Sequence, residues 1–150
     1  MFTFRLEPLI TIRDNALKEC QAELAKAYHA RQIVEETRLK FEKDIEESIQ
    51  SAREMLESGT IDVTFLLTLQ DHKTYRTAQL AKIAEDLKKI DEEIERRRAL
   101  VVAANKELKI VEKLKEKRYE KYLEEENKAE MKVMDEIAGN RIQEIAAVRN

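Results

Sequence analysis

Two histidines, one cysteine and 31 carboxylates are the residues of this 150-residue chain that could do chemistry, and their spacing argues against it. A carboxylate-bridged metal bundle needs Glu-x-x-His pairs on facing helices. Three residues before His29 stands Lys26, and three before His72 stands Leu69. Gly59 and Gly139 each stand alone, so no glycine-rich loop can cradle a phosphate. Cys20 falls on an apolar seam, where a small buried thiol is ordinary, and as the single cysteine it forms no internal disulfide. The expectation is a protein that is not an enzyme, with no catalytic or metal-binding residues, no cofactor and no small-molecule substrate.

Nucleic-acid binding would rest on Arg96, Arg97 and Arg98. In a helix these point in three directions, with Arg97 inward. Asp91, Glu92, Glu93 and Glu95 flank them, and no aromatic platform accompanies them. Net charge is −3 and acids alternate with bases throughout, so no basic or acidic domain separates out. No nucleic acid is expected as a partner. No apolar run approaches the roughly 18–20 residues of a membrane span, and "MFTFRLEPLI" lacks the order of a secretory signal. With its unpaired cysteine, the chain reads as cytoplasmic.

The elements that carry these residues are helices. The chain is 39% charged and 5% aromatic, with two Gly, one Pro and no Trp, a profile of long helices and coiled coils. The turn signal is "MLESGTIDV": Gly59 can close a helix in the left-handed conformation, Thr60 can cap the next, and Asp62 lies in its first turn. Before the turn a seam with alternating spacings of three and four runs Leu17, Cys20, Leu24, Ala27, Arg31, Val34, Arg38, Phe41, Ile45, Ser48, Ala52, Met55. After it, the seam runs Leu80, Ile83, Leu87, Ile90, Ile94, Arg97, Val101, Ala104, Leu108, Val111. A period of 3.5 residues held this long specifies a left-handed supercoil, and a short turn makes the helices antiparallel.

The expected fold is therefore all-α: an antiparallel two-helix coiled coil with a longer, overhanging C-terminal helix, forming one elongated hairpin over residues 1–150. Helix 1 is expected over about 6–57, since Pro8 suits a first helical turn. The turn is expected at 58–60, helix 2 over about 61–138, and a frayed end at 139–150 after Gly139-Asn140. Because the turn is off-centre, facing residues should have numbers summing to about 120. At about 1.5 Å per residue the paired part is roughly 80 Å long, and the helix beyond Glu120 overhangs by some 25–40 Å. The same register places Arg97 opposite about Glu23, with Arg31, Arg38 and Arg97 as polar interruptions that fix alignment.

Two stretches hold surface that a two-stranded seam does not need. Near the turn, Phe65, Leu66, Leu67 and Leu69 form either a local hydrophobic cluster at the tip or a docking patch. In the overhang, Tyr119, Tyr122, Leu123, Ala129, Met131, Val133, Met134 and Ile137 are too sparse for a self-sufficient seam, and an isolated helix there is marginal. That segment is either a fraying end or one that becomes ordered against another protein.

"FTFRLEPLITIRDNALKECQAELAKA", the turn "LESGTIDV" and "EKLKEKRYEKYLEEENKAEMKVMDEIA" resemble the flagellar FliJ family, from Phe2 to about Gly139. The features outside the heptads carry the likeness: the opening Phe-x-Phe-x-Leu, the Ser-Gly turn, and Glu130, Lys132, Met134, Asp135 and Glu136. The resemblance implies a non-catalytic component of the flagellar type III protein-export apparatus, similar to the central stalk of rotary ATPases. Implied partners are the export ATPase with its hexameric ring, the cytoplasmic domain of the export gate, and export chaperones. It also implies a cytoplasmic protein associated peripherally with the inner face of the cell membrane. On this reading Arg5, Leu9, Arg13, Tyr119, Lys121, Tyr122, Glu130, Met134 and Glu136 face the ATPase, and Phe65, Leu66, Leu69 and Tyr75 serve the gate or chaperones. The stalk of a virulence-type secretion system, a nucleic-acid-binding coiled coil and a generic scaffold remain the alternatives.

Overall fold

A computed structural model describes residues 1–149. The described residues contain two long helices packed against each other, α1 (Glu7–Ser58) and the longer α2 (Val63–Arg149), and no strand. They form two compact units, one of Met1–Ala16 with α2 from Ala104 onward, the other of Leu17–Ala103.

Helix α1 starts where Pro8 permits it. The backbone N–H of Glu7 donates to Phe4 O at 3.1 Å and that of Leu9 to Leu6 O at 2.9 Å, a tightened first turn in which a missing proline donor costs nothing. It stops at Gly59, the one described residue with a left-handed backbone, φ 78°. Ser58 Oγ donates to Met55 O at 2.8 Å, closing one of the last free carbonyls.

The cap of α2 differs from the expectation. Asp62, not Thr60, does the capping: its Oδ1 accepts from the N–H of Thr64 at 3.0 Å and of Phe65 at 3.2 Å. A carboxylate satisfies two orphan donors and also faces the positive end of the helix dipole, which a threonine hydroxyl cannot do as well. The far end differs too. Helix α2 does not stop near residue 138 but runs through Gly139 to Arg149; Asn150 lies outside the described residues. Gly139 keeps an ordinary negative φ. One glycine costs about 1 kcal/mol in a helix interior, and the residues after it include no proline and are mostly good helix formers.

In the Leu17–Ala103 unit, every seam position named above is at least half-buried, with Ala27, Ser48, Ile83 and Ile94 the most enclosed. The seam reaches further toward the turn than its strongest part suggested, because Leu66, Leu69, Lys73 and Arg76 continue the same spacing and are also half-buried. Ser48 meets its burial by donating to Asp44 O at 3.0 Å. In the other unit Phe4, Leu108 and Val111 form the core.

Ion pairs across the helices report the register. Glu7–Lys115 (2.8 Å) and Arg13–Glu107 (2.6 Å) lie in one unit, Arg31–Asp91 (2.7 Å) and Asp44–Arg76 (3.3 Å) in the other, and each pair's numbers sum to 120 or 122. The accessible surface is 12156 Å², against about 7,900 Å² for a compact monomer of this mass. No described side chain is fully buried. The core is a seam, and most of each helix is left as surface.

Candidate partner-binding surfaces

The first surface is built where the chain's beginning meets α2. Phe4 is buried and lies beneath the Arg118 guanidinium at 5.8 Å, so the preceding residues are held against α2. Phe2 then stands edge-on to Tyr119 at 5.2 Å and tilted to Tyr122 at 5.5 Å, and the two tyrosines are 6.4 Å apart. Rings at these distances gain from their quadrupoles as well as from buried area. Tyr122 donates its hydroxyl to the Glu126 carboxylate one turn on, which raises its pKa above the usual tyrosine value. A shallow groove of about 410 Å³ opens beside this cluster, lined by Phe2, Arg118, Lys121, Tyr122 and Glu125 among others.

The residues expected to face an ATPase are placed as follows. Tyr119 and Tyr122 are brought together with Phe2. Leu9 is half-buried and Arg5 exposed. Arg13 is engaged with Glu107. Lys121, Glu130, Met134 and Glu136 are exposed. At about 100° per residue, Lys121 and Glu136 project from the side of the helix opposite Met134, while Tyr119, Glu130 and Met134 share one side. These residues surround the helix rather than forming one patch. From Leu123 to Arg149 every described residue is exposed, about 40 Å of helix.

Phe2 and Arg118 belong to this candidate surface by their contacts, although neither was expected there. The signal was available: Phe-x-Phe at the start and Tyr-x-x-Tyr at Tyr119 and Tyr122 are in register when facing numbers sum to a little over 120.

The second surface lies at the turn. Leu66 and Leu69 face the seam and are half-buried, whereas Phe65 (41% exposed) and Tyr75 (62%) lie outside it, so the four do not share a face. An apolar groove of about 470 Å³ is lined instead by Ile49, Ala52, Leu56, Val63, Leu66 and Leu67, with Arg53 and Lys73 at its edges.

The arginine cluster is occupied within the chain. Arg96 and Arg97 donate to Glu93 at 2.6 and 2.8 Å, Arg98 donates to Glu95 at 3.0 Å and to the Tyr28 hydroxyl, and Arg97 crosses to α1. Hydrogen bonds from Arg96 and Arg97 hold the Glu93 carboxyl down at about 2. The crossing of Arg97 refines its expected pairing with Glu23. Its guanidinium donates to the Glu23 backbone carbonyl at 2.6 Å, while the carboxylate stands off at 3.8 Å. Exchanging the two charges therefore restores only the weaker contact. His29 and His72 are both exposed, and the α2 residue Asp91 is bound by Arg31.

Among the described residues no group of three or more His, Cys, Asp or Glu could hold a metal ion, and no helix is long and apolar enough to cross a membrane. What the geometry presents is contact surface along two packed helices, with one helix continuing bare. That defines a class, the two-helix coiled coil. Residues 1–145 match the family described as "Flagellar FliJ protein", and the chain belongs to that family. It is thereby a flagellar export-associated coiled coil. No curated protein and no solved structure matches the chain.

Proposed function

We propose that the protein is a non-catalytic, stalk-like component of the flagellar type III export apparatus that binds the export ATPase, promotes assembly of its ring, and links it to the export gate and chaperones. Working there, it is cytoplasmic and peripheral to the inner face of the cell membrane. The observation that carries the ATPase contact is the exposed helix from Leu123 to Arg149, with the Phe2–Tyr119–Tyr122 cluster at its base. A ring closes around an axis. A helix that is polar on most sides, with Lys121 and Glu136 opposite Met134, offers contacts around its circumference in a way that a one-sided patch does not. Arg5, Leu9 and Arg13 sit beside that base on α1. Gate or chaperone contact is assigned to Phe65 and Tyr75, the exposed members of the set at the turn, with Leu66 and Leu69 beneath them.

The test is a pull-down on the flagellar ATPase and on the gate's cytoplasmic domain, with stimulation of ATP hydrolysis as a second readout. Truncation after Val111 removes the whole proposed ATPase surface of α2. Truncation after Tyr122 is sharper, because every described residue it removes is exposed and the packed parts of both helices stay. Loss of ATPase binding and stimulation with gate binding retained is expected. Full ATPase binding by both truncations refutes the proposal.

A further inference from the structure

The exposed end of α2 is not uniformly polar. Met131, Met134, Ile137, Ile142, Ile145 and Val148 are each between 58% and 87% exposed. At about 100° per residue they fall, with Ala138, inside an arc of about 140°. Between Met131 and Val148 the only charged residue in that arc is Arg141. The spacing is not that of the seam. Met131, Met134, Ala138, Ile142 and Ile145 step by three, four, four and three, an 11-residue repeat, which winds a helix pair with the opposite, right-handed coil. No segment of α1 covers this stripe, since no described residue beyond Tyr122 is shielded.

We infer that this stripe pairs with the same stripe of a second copy, the two helices running antiparallel. The stripe reads the same from either end. Met131 matches Val148, Met134 matches Ile145, Ile137 matches Ile142, and Ala138 matches Arg141, all about the point between Gly139 and Asn140. An isologous interface requires this self-complementarity, because each residue meets its counterpart twice. Met134 and Ile145 lie nearest the centre of the stripe and oppose each other there, with the other large side chains flanking them. The one long charged side chain opposes the smallest residue of the stripe, so the aliphatic stem of Arg141 can lie over the partner copy's alanine with its head in water. Size bears on it as well. At these exposures the six large residues show on the order of 700 Å² per copy, so a pair that covers most of this approaches the roughly 1,200 Å² at the small end of stable interfaces. The pairing is a state of the free protein and does not rest on the ATPase reading, although Met134 takes part in both.

The test uses the full chain and needs no ATPase. Sedimentation equilibrium over a hundredfold concentration range is expected to show a monomer–dimer equilibrium. The double variant Met134→Glu/Ile145→Glu, at positions exposed in the single chain, is expected to weaken it about tenfold or more. Orientation is read by oxidative cross-linking in a Cys20→Ser background. A mixture of the Met134→Cys and Ile145→Cys variants, the pair nearest the centre of the stripe, is expected to give the mixed disulfide. Each variant alone gives little, because like residues in the antiparallel pair are about 16 Å apart along the helices. A chain that stays monomeric, a dimer indifferent to the two glutamates, or efficient like-with-like disulfides from either variant alone would each overturn the inference.

Discussion

Removing the Arg76 side chain offers the most informative perturbation of the fold. Arg76 continues the seam of α2, yet it is a cation in an apolar row. Its guanidinium lies 4.2 Å from the centre of the Phe41 ring and its Nε 3.3 Å from Asp44 Oδ2, with both side chains of that ion pair about a quarter exposed. A cation over a ring gives about 0.5–1 kcal/mol at the surface and about 2 when desolvated, so an intermediate site gives about 1 kcal/mol. A partly exposed ion pair adds about 0.5–1 kcal/mol. Against this, Nε is buried without a hydrogen bond of good geometry, and truncation relieves that cost. The net loss for Arg76→Ala is about 1–1.5 kcal/mol, read as the shift in urea unfolding midpoint followed by helical circular dichroism. Arg76→Lys keeps the charge but loses the flat guanidinium, and should recover less than half of the loss. The decisive quantity is the coupling between Arg76→Ala and Phe41→Leu in a double-mutant cycle, expected at about 0.5–1 kcal/mol. Additivity within about 0.3 kcal/mol, with the single Arg76→Ala variant as stable as wild type, would refute the assignment of Arg76 as a cross-helix tie.

Ile94→Ala removes the least exposed residue of the seam (4%) and should cost about 2–3 kcal/mol, the low end of the core range because no described side chain is fully enclosed, whereas Ile110→Ala (67% exposed) should change the urea midpoint little. Glu93 has its carboxyl held at about 2, below its ordinary 4.5, so its contribution is full above about pH 4.5 and is lost as pH falls toward 2. Stability measured at about pH 6 and pH 3 should therefore fall more for the wild type than for Glu93→Gln. At the turn, Asp62→Ala should cost about 1 kcal/mol and Thr60→Ala almost nothing, since Asp62 makes the capping bonds. Gly59→Ala should also destabilise by about 1 kcal/mol although nothing lies within 4 Å of an added Cβ, because the cost is in the positive φ.

The helix pair and its register were legible because period and charge point the same way. Every seam position from Leu17 to Met55 and from Leu80 to Val111 is shielded, and the ion pairs sit on the expected diagonal. What failed was local competition. Thr60 and Asp62 are both good caps two residues apart, and only the path of the backbone after Gly59 decides between them. Gly139 is a stop signal in one context and a tolerated defect in another; its neighbours are strong enough helix formers to carry the helix through. Leu66 and Leu69 looked like surplus surface because they sit in a dense apolar run, where spacing is hard to read. The stripe from Met131 to Val148 was hidden for the opposite reason. Its members are sparse and follow an 11-residue repeat, so a search for heptads sees only scattered residues. The aromatic cluster at Phe2 needed two distant motifs to be set side by side.

The cross-helix ties also carry a pattern of sign. Along α1 they read negative, positive, negative, positive, negative, at Glu7, Arg13, Glu23, Arg31 and Asp44, and the answering residues of α2 carry the opposite sign at each place. Sliding one helix along the other by a heptad, about 10 Å, would still match apolar to apolar. In one direction that slide sets Arg31 against Arg97 and Arg13 against Lys115; in the other it sets Glu23 against Asp91 and Glu7 against Glu107. Hydrophobic matching alone would leave that slipped pairing open to a chain whose turn has not yet formed, like a ratchet with identical teeth. The alternating charges number the teeth, so each slipped pairing meets like charges and the register that the Gly59 turn allows is the one they favour.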